Sequence, residues 1–164
     1  MDKNPFKKTY NTVVGKNKKN TQMFNKKFWV IPLNTPGHWS LMIFVRPKFI
    51  FEETTNPDKE TLIFFFDSLG KKYTTIINQN NMKILNDFLH YAYILENTSK
   101  TNIIINSIQL DKVKKTSIDC YKQDNSFDCG IFVCIYARAF LLSVIRDEVI
   151  YTEKDFAGTT TFFY

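Results

Sequence analysis

Apolar positions along the chain fall into runs and stripes of different kinds, and each kind predicts an element. Phe28 to Leu33 and Ser40 to Val45 read as β-rich segments, broken by a turn region from Pro32 to Gly37. Leu62 to Phe66 is an unbroken apolar run of strand length, the pattern of a strand buried on both faces. Between these, Arg46 to Glu60 is polar around Pro47 and Pro57, with Phe49-Ile50-Phe51 as a candidate short strand. From Asn78 to Asn97 the period changes: Met82, Leu85, Phe88, Leu89, Ala92 and Leu95 recur at helical spacing, with Asn78 and Asn81 as cap candidates. This predicts an amphipathic surface helix carrying His90 as a surface or boundary residue. Ile103 to Leu110 returns to a strand pattern, Lys112 to Thr116 reads as a charged connector, and Ile118 to Tyr121 as an extension of the sheet. From Cys129 to about Ile145 apolar residues occupy nearly every face, which predicts a central helix packed behind the sheet. The sum is an α+β domain, a central sheet flanked by helices.

Composition supports a packed domain. At 164 residues and 44% hydrophobic content the chain suits one core, and sixteen phenylalanines against five glycines and five prolines argue against disorder over most of it. No run of eighteen apolar residues occurs, and Met1-Asp2-Lys3-Asn4-Pro5-Phe6 lacks an apolar signal stretch, so an intracellular protein of nucleus or cytoplasm with no membrane partner is expected; a monomer is the separate expectation for its assembly. Three cysteines, Cys120, Cys129 and Cys134, do not make a disulfide framework, and Cys120 and Cys134 read as small buried hydrophobes. With no C-x-x-C pair and only His38 and His90 as histidines, neither a metal nor a cofactor is expected.

The net charge of +6 is uneven, because residues 1–27 hold eight lysines against Asp2. They read as a basic, solvated and partly mobile arm; without interleaved aromatics, no nucleic-acid partner is expected. Residues 28–157 form the expected working domain, and 158–164 are an unassigned tail. Trp29, Phe64, Phe65, Phe66, Phe132 and Ile135 read as core.

The chemistry concentrates in Gln123-Asp124-Asn125-Ser126-Phe127-Asp128-Cys129-Gly130, which leads straight into the apolar helix. A cysteine at a helix start meets unpaired backbone N–H groups and the positive end of the helix dipole, which favour a thiolate. Gly130 would allow close approach of backbone and substrate, and the Gln123 amide could donate to an oxyanion in the same pocket. A thiolate nucleophile also needs a base, and the base an orienter. His38 follows the turn signal Asn34-Thr35-Pro36-Gly37 at a strand start, and Asp67 ends the run Thr61 to Phe66. If those strands pair as antiparallel neighbours, His38 and Asp67 meet at one sheet edge. Each residue alone is ordinarily structural; the four together, in this order, fit one acyl-transfer site.

His38-Trp39, then Asp67-Ser68 at a strand end, then Gln123 and Asp128-Cys129-Gly130 before an apolar helix resemble the Ulp/SENP family of cysteine proteases, which remove SUMO or related ubiquitin-like modifiers. The resemblance runs from about Phe28 to about Ile150. It implies a papain-like fold of the Ulp/adenain type with a central mixed sheet and the nucleophile at the N-terminus of a central helix. It further implies Cys129 as nucleophile, His38 as general base, Asp67 as its orienter, Gln123 as oxyanion donor, and Trp39 over the channel that admits a modifier's terminal Gly-Gly. Ser126-Phe127 stand where the family has Gly-Tyr, and the proline before the glutamine is absent. The family's longer N-terminal portion, with a second channel tryptophan and part of the modifier-binding surface, is not matched, so a truncated or minimal member is expected. Two other readings stay open: an inactive domain that binds a modifier, and a protease of the same fold acting on ubiquitin, a NEDD-type modifier or ordinary glycine-containing sites.

Overall fold

A computed structural model describes residues 4–14, 22–52, 55–72, 79–97, 110 and 113–147. In chain order these form helix α1 (Phe6–Val14), strands β1 (Phe28–Thr35), β2 (His38–Val45) and β3 (Leu62–Phe66), helix α2 (Gln79–Asn97), strand β4 (Lys114–Ser117) and helix α3 (Cys129–Asp147). The strands make one mixed sheet in the order β1-β2-β3-β4, with β1, β2 and β3 antiparallel and β4 parallel to β3.

The β1–β2 hairpin is set by its turn. Thr35 pairs with His38, leaving Pro36-Gly37 as a two-residue loop, and Gly37 has φ +75°. Proline followed by a residue with positive φ is what a type II turn requires. β1 therefore runs through Pro32 to Thr35 instead of stopping at Leu33, and Pro32 is accommodated because β1 is an edge strand.

Alternation along β2 and β3 divides the core in two. Leu41, Ile43, Val45, Leu62, Phe64 and Phe66 pack on one face against Val133, Tyr136 and Phe140 of α3. Met42, Phe44, Ile63 and Phe65 pack on the other face with Trp29, Leu89 and Ala92. β3 is buried on both faces, as its unbroken apolar run predicts. Trp29 is core as expected, and its indole N–H donates to the Met23 carbonyl at 2.7 Å.

Several expectations are overturned. Part of the supposed solvated arm is core: Tyr10 on α1 is buried, as are Met23 and Phe24 in a 3-10 turn, Met23–Asn25. Glu96 near the end of α2 ties both segments down, accepting from Tyr10 Oη at 3.1 Å and from the Met23 N–H at 2.8 Å. Phe49-Ile50-Phe51 is not a strand; Pro47–Phe49 is a 3-10 turn entered through Arg46 in the left-handed region. Lys114–Ser117, expected as connector, is a strand, whereas Ile118 to Tyr121 is not, although the Ile118 N–H still donates to the Phe65 carbonyl at 2.8 Å. On α2, Asn81 lies within the helix and Leu95 is exposed. Asn78 as a cap and all but the last residue of the strand expected from Ile103 to Leu110 lie outside the described residues; Leu110 itself is buried and not in a strand. On α3 only one side is buried, so Ile135 and Cys134 are exposed rather than core.

Candidate active site

Three elements converge at one end of the sheet. Because Leu41 pairs with Phe66, the start of β2 lies beside the end of β3, and His38 comes within reach of Asp67. His38 Nε2 is 2.7 Å from Asp67 Oδ2, and both side chains are buried. The other carboxylate oxygen, Oδ1, accepts the Leu69 N–H at 2.9 Å and the Lys71 N–H at 3.1 Å, so the turn after β3 fixes the carboxylate before it meets the imidazole. That turn closes through Gly70, whose φ is +70° and whose N–H donates to the Asp67 carbonyl at 3.0 Å. With Nε2 committed to Asp67, Nδ1 is the nitrogen left for a thiol.

Helix α3 supplies the third element. It begins at Cys129, which is buried, and the Asp128 carbonyl accepts from the N–H groups of Ile131 and Phe132 at 2.9 and 3.1 Å. The start of α3 adjoins the start of β2: a Cβ built on Gly130 would lie 3.9 Å from Trp39 Cδ1. That is ordinary van der Waals contact, so Gly130 lies against the Trp39 side chain. Trp39 is 40% exposed, so part of its side chain is open to solvent beside the helix start.

The loop before α3 holds Gln123. Its backbone N–H donates to the Ser68 carbonyl at 2.9 Å, its side-chain oxygen accepts from Ser68 Oγ at 2.5 Å, and its Nε2 donates to the Asn125 carbonyl at 2.5 Å. Asn125 organises the rest of the loop, accepting through Oδ1 from the N–H groups of Phe127 and Asp128 at 3.1 and 3.0 Å and donating through Nδ2 to Asp128 Oδ2 at 2.7 Å. Sequence reasoning did not single out Asn125. Its signal is an asparagine two residues before a turn, the composition of a side chain that caps its own backbone.

Cys120 borders the site without resembling a second nucleophile. Burial pushes its thiol pKa up, and Sγ lies 3.6 Å from the Asp67 carbonyl as a donor. Burial likewise raises the Tyr136 hydroxyl pKa, and this hydroxyl donates to the Tyr121 carbonyl at 2.5 Å and holds the segment before the loop against α3. A buried His–Asp pair, a helix-start cysteine and an anchored amide are side chains of the types that thiol acyl transfer uses, and the fold gathers them at one end of the sheet.

The family model of the Ulp1 protease family, C-terminal catalytic domain, matches residues 1–161. The chain is 30% identical over 125 residues to a probable ubiquitin-like-specific protease 2A of Arabidopsis thaliana, covering 75% of this chain and 15% of that protein. It is 30% identical over 120 residues to ubiquitin-like protease 4 of Caenorhabditis elegans, covering 72% and 26%. The chain thus spans about a quarter or less of the length of these relatives. In fold it is similar to a crystal structure of a de-sumoylating protease, with a TM-score of 0.50 at 24% identity over 85% of this chain and 49% of that one. The chain belongs to the Ulp1 protease family and matches its C-terminal catalytic domain.

Proposed function

We propose that the chain is a cysteine peptidase that cleaves after the C-terminal glycine of a ubiquitin-like modifier, with SUMO the first modifier to test. The observation that carries this reading is the buried His38 Nε2–Asp67 Oδ2 contact of 2.7 Å beside the helix start that carries Cys129. Asp67 holds the imidazole through Nε2 and leaves Nδ1 as the base, so His38 takes the Cys129 proton as Sγ attacks the glycine carbonyl and returns it to the leaving amine. The negative oxygen of the tetrahedral intermediate rests on the Gln123 amide and the Cys129 backbone N–H. Water, deprotonated by His38, then attacks the thioester, frees the modifier and restores the thiol. Glycine offers no side chain to grip, so selectivity falls to a narrow channel that Trp39 helps to cover and to surfaces that contact the folded modifier.

Covalent labelling tests the reading. The purified chain is mixed with a panel of ubiquitin-like proteins carrying an electrophile at the C-terminal glycine, alongside Cys129→Ala. Labelling by one modifier that vanishes in the variant supports both activity and substrate class. Absence of labelling by every member, with the chain shown to be folded, overturns it.

A further inference from the structure

The orientation of the Gln123 side chain is not free. The Asn125 carbonyl can only accept, so the amide nitrogen is the atom that faces it at 2.5 Å, and the amide oxygen is the atom that faces Ser68 Oγ at 2.5 Å. An amide oxygen can only accept in turn, so the Ser68 hydroxyl must donate. Ser68 is 1% exposed and Gln123 is buried, so this bond is shielded from solvent. One Nε2 hydrogen goes to Asn125, and among the described residues the second has no partner.

We propose that Ser68 is a positioning residue for the reaction: its hydroxyl clamps the Gln123 amide oxygen so that the second Nε2–H stays aimed at the developing oxyanion. The inference rests on the peptidase reading above. It makes the two-residue unit Asp67-Ser68, at the end of β3, the common anchor of both arms of the site, with Asp67 orienting the base and Ser68 the oxyanion donor. A serine next to the aspartate reads as a turn cap in sequence. Its backbone carbonyl also receives the Gln123 N–H at 2.9 Å, so the clamp grips Gln123 at both main chain and side chain.

A double-mutant cycle tests it with the full chain and a modifier substrate. Gln123→Ala should lower kcat by about 10² to 10³. Ser68→Ala should lower kcat by about tenfold with KM little changed, the loss of one hydrogen bond acting in the transition state. The double variant should be no slower than Gln123→Ala alone, because a clamp has no effect once its amide is gone. Multiplying losses would place the effect of Ser68 elsewhere, through Asp67 or the turn, and would overturn the proposal; so would unchanged kcat in Ser68→Ala. The side-chain amide resonances of Gln123 give a readout independent of turnover. They should be two dispersed, protected signals in the wild type and collapse toward free-glutamine positions in Ser68→Ala. If the wild type cleaves no modifier but the resonances collapse, the peptidase reading fails while the clamp stands. If they do not move, the clamp is refuted whatever the activity.

Discussion

Asp67 serves His38 with one carboxylate oxygen and its own turn with the other, so the imidazole is oriented by a group that the backbone has already immobilised. Such a group controls which ring nitrogen carries the proton.

Asp67→Asn should preserve the turn, since the amide oxygen can still accept the Leu69 and Lys71 N–H groups. The amide nitrogen would then face Nε2 and force it to accept, leaving Nδ1 protonated and useless as a base. The expected result is a kcat loss of about 10⁴ with the thermal midpoint nearly unchanged, by analogy with the same exchange in a serine protease triad. Steady-state kinetics beside a melting curve checks both halves.

Glu96 joins α2 to α1 and to the 3-10 turn before β1 through bonds to a charged acceptor. Glu96→Ala should cost about 1.5 to 3 kcal/mol in urea unfolding, the range for hydrogen bonds to charged groups. A loss below half of that would mean that the N-terminal segment packs without it.

Alkaline pH should weaken the same junction. Burial, followed by Glu96, pushes the Tyr10 hydroxyl up to about 12 from an ordinary 10.0. A raised folded value means that the contribution is whole below the unfolded value and fades as pH rises from 10.0 toward about 12. The stability difference between wild type and Tyr10→Phe should therefore shift against the wild type over that window, and a pH-independent difference would contradict it.

Among the free thiols, Cys134 is exposed and Cys120 is partly buried with its thiol pushed up. Brief treatment of the native chain with iodoacetamide should modify Cys134 long before Cys120, as read by peptide mass mapping. Equal rates would show that the segment from Cys120 to Gln123 opens readily.

What the sequence made legible was local. A Pro-Gly turn announced the start of β2, an apolar run announced β3, and the neighbourhood of His38 and Asp67 followed from pairing the two. The start of α3 at Cys129 was equally plain. What stayed hidden depends on distant partners. Tyr10 looks solvated among lysines until α2 arrives with Glu96, eighty-six positions away in sequence. Lys114–Ser117 has no apolar alternation, because its strand character comes from backbone pairing with β3. Ile131, Ile135 and Leu141 are apolar yet exposed, and a hydropathy pattern cannot tell an uncovered helix face from a covered one. The partners of Ser68 and Asn125 are hydrogen bonds, which leave no periodic trace.

Pro32 in β1 has a consequence for how peptides can meet this domain. An edge strand ordinarily offers a row of donors and acceptors that an incoming extended segment can zip onto, the route by which sheets recruit ligands and by which they aggregate. A proline inside the edge removes a donor midway along β1, so the zipper is interrupted a few residues from the Pro36-Gly37 turn. A linear tail gains little by lying along that rim, and the same interruption discourages copies of the chain from joining edge to edge there.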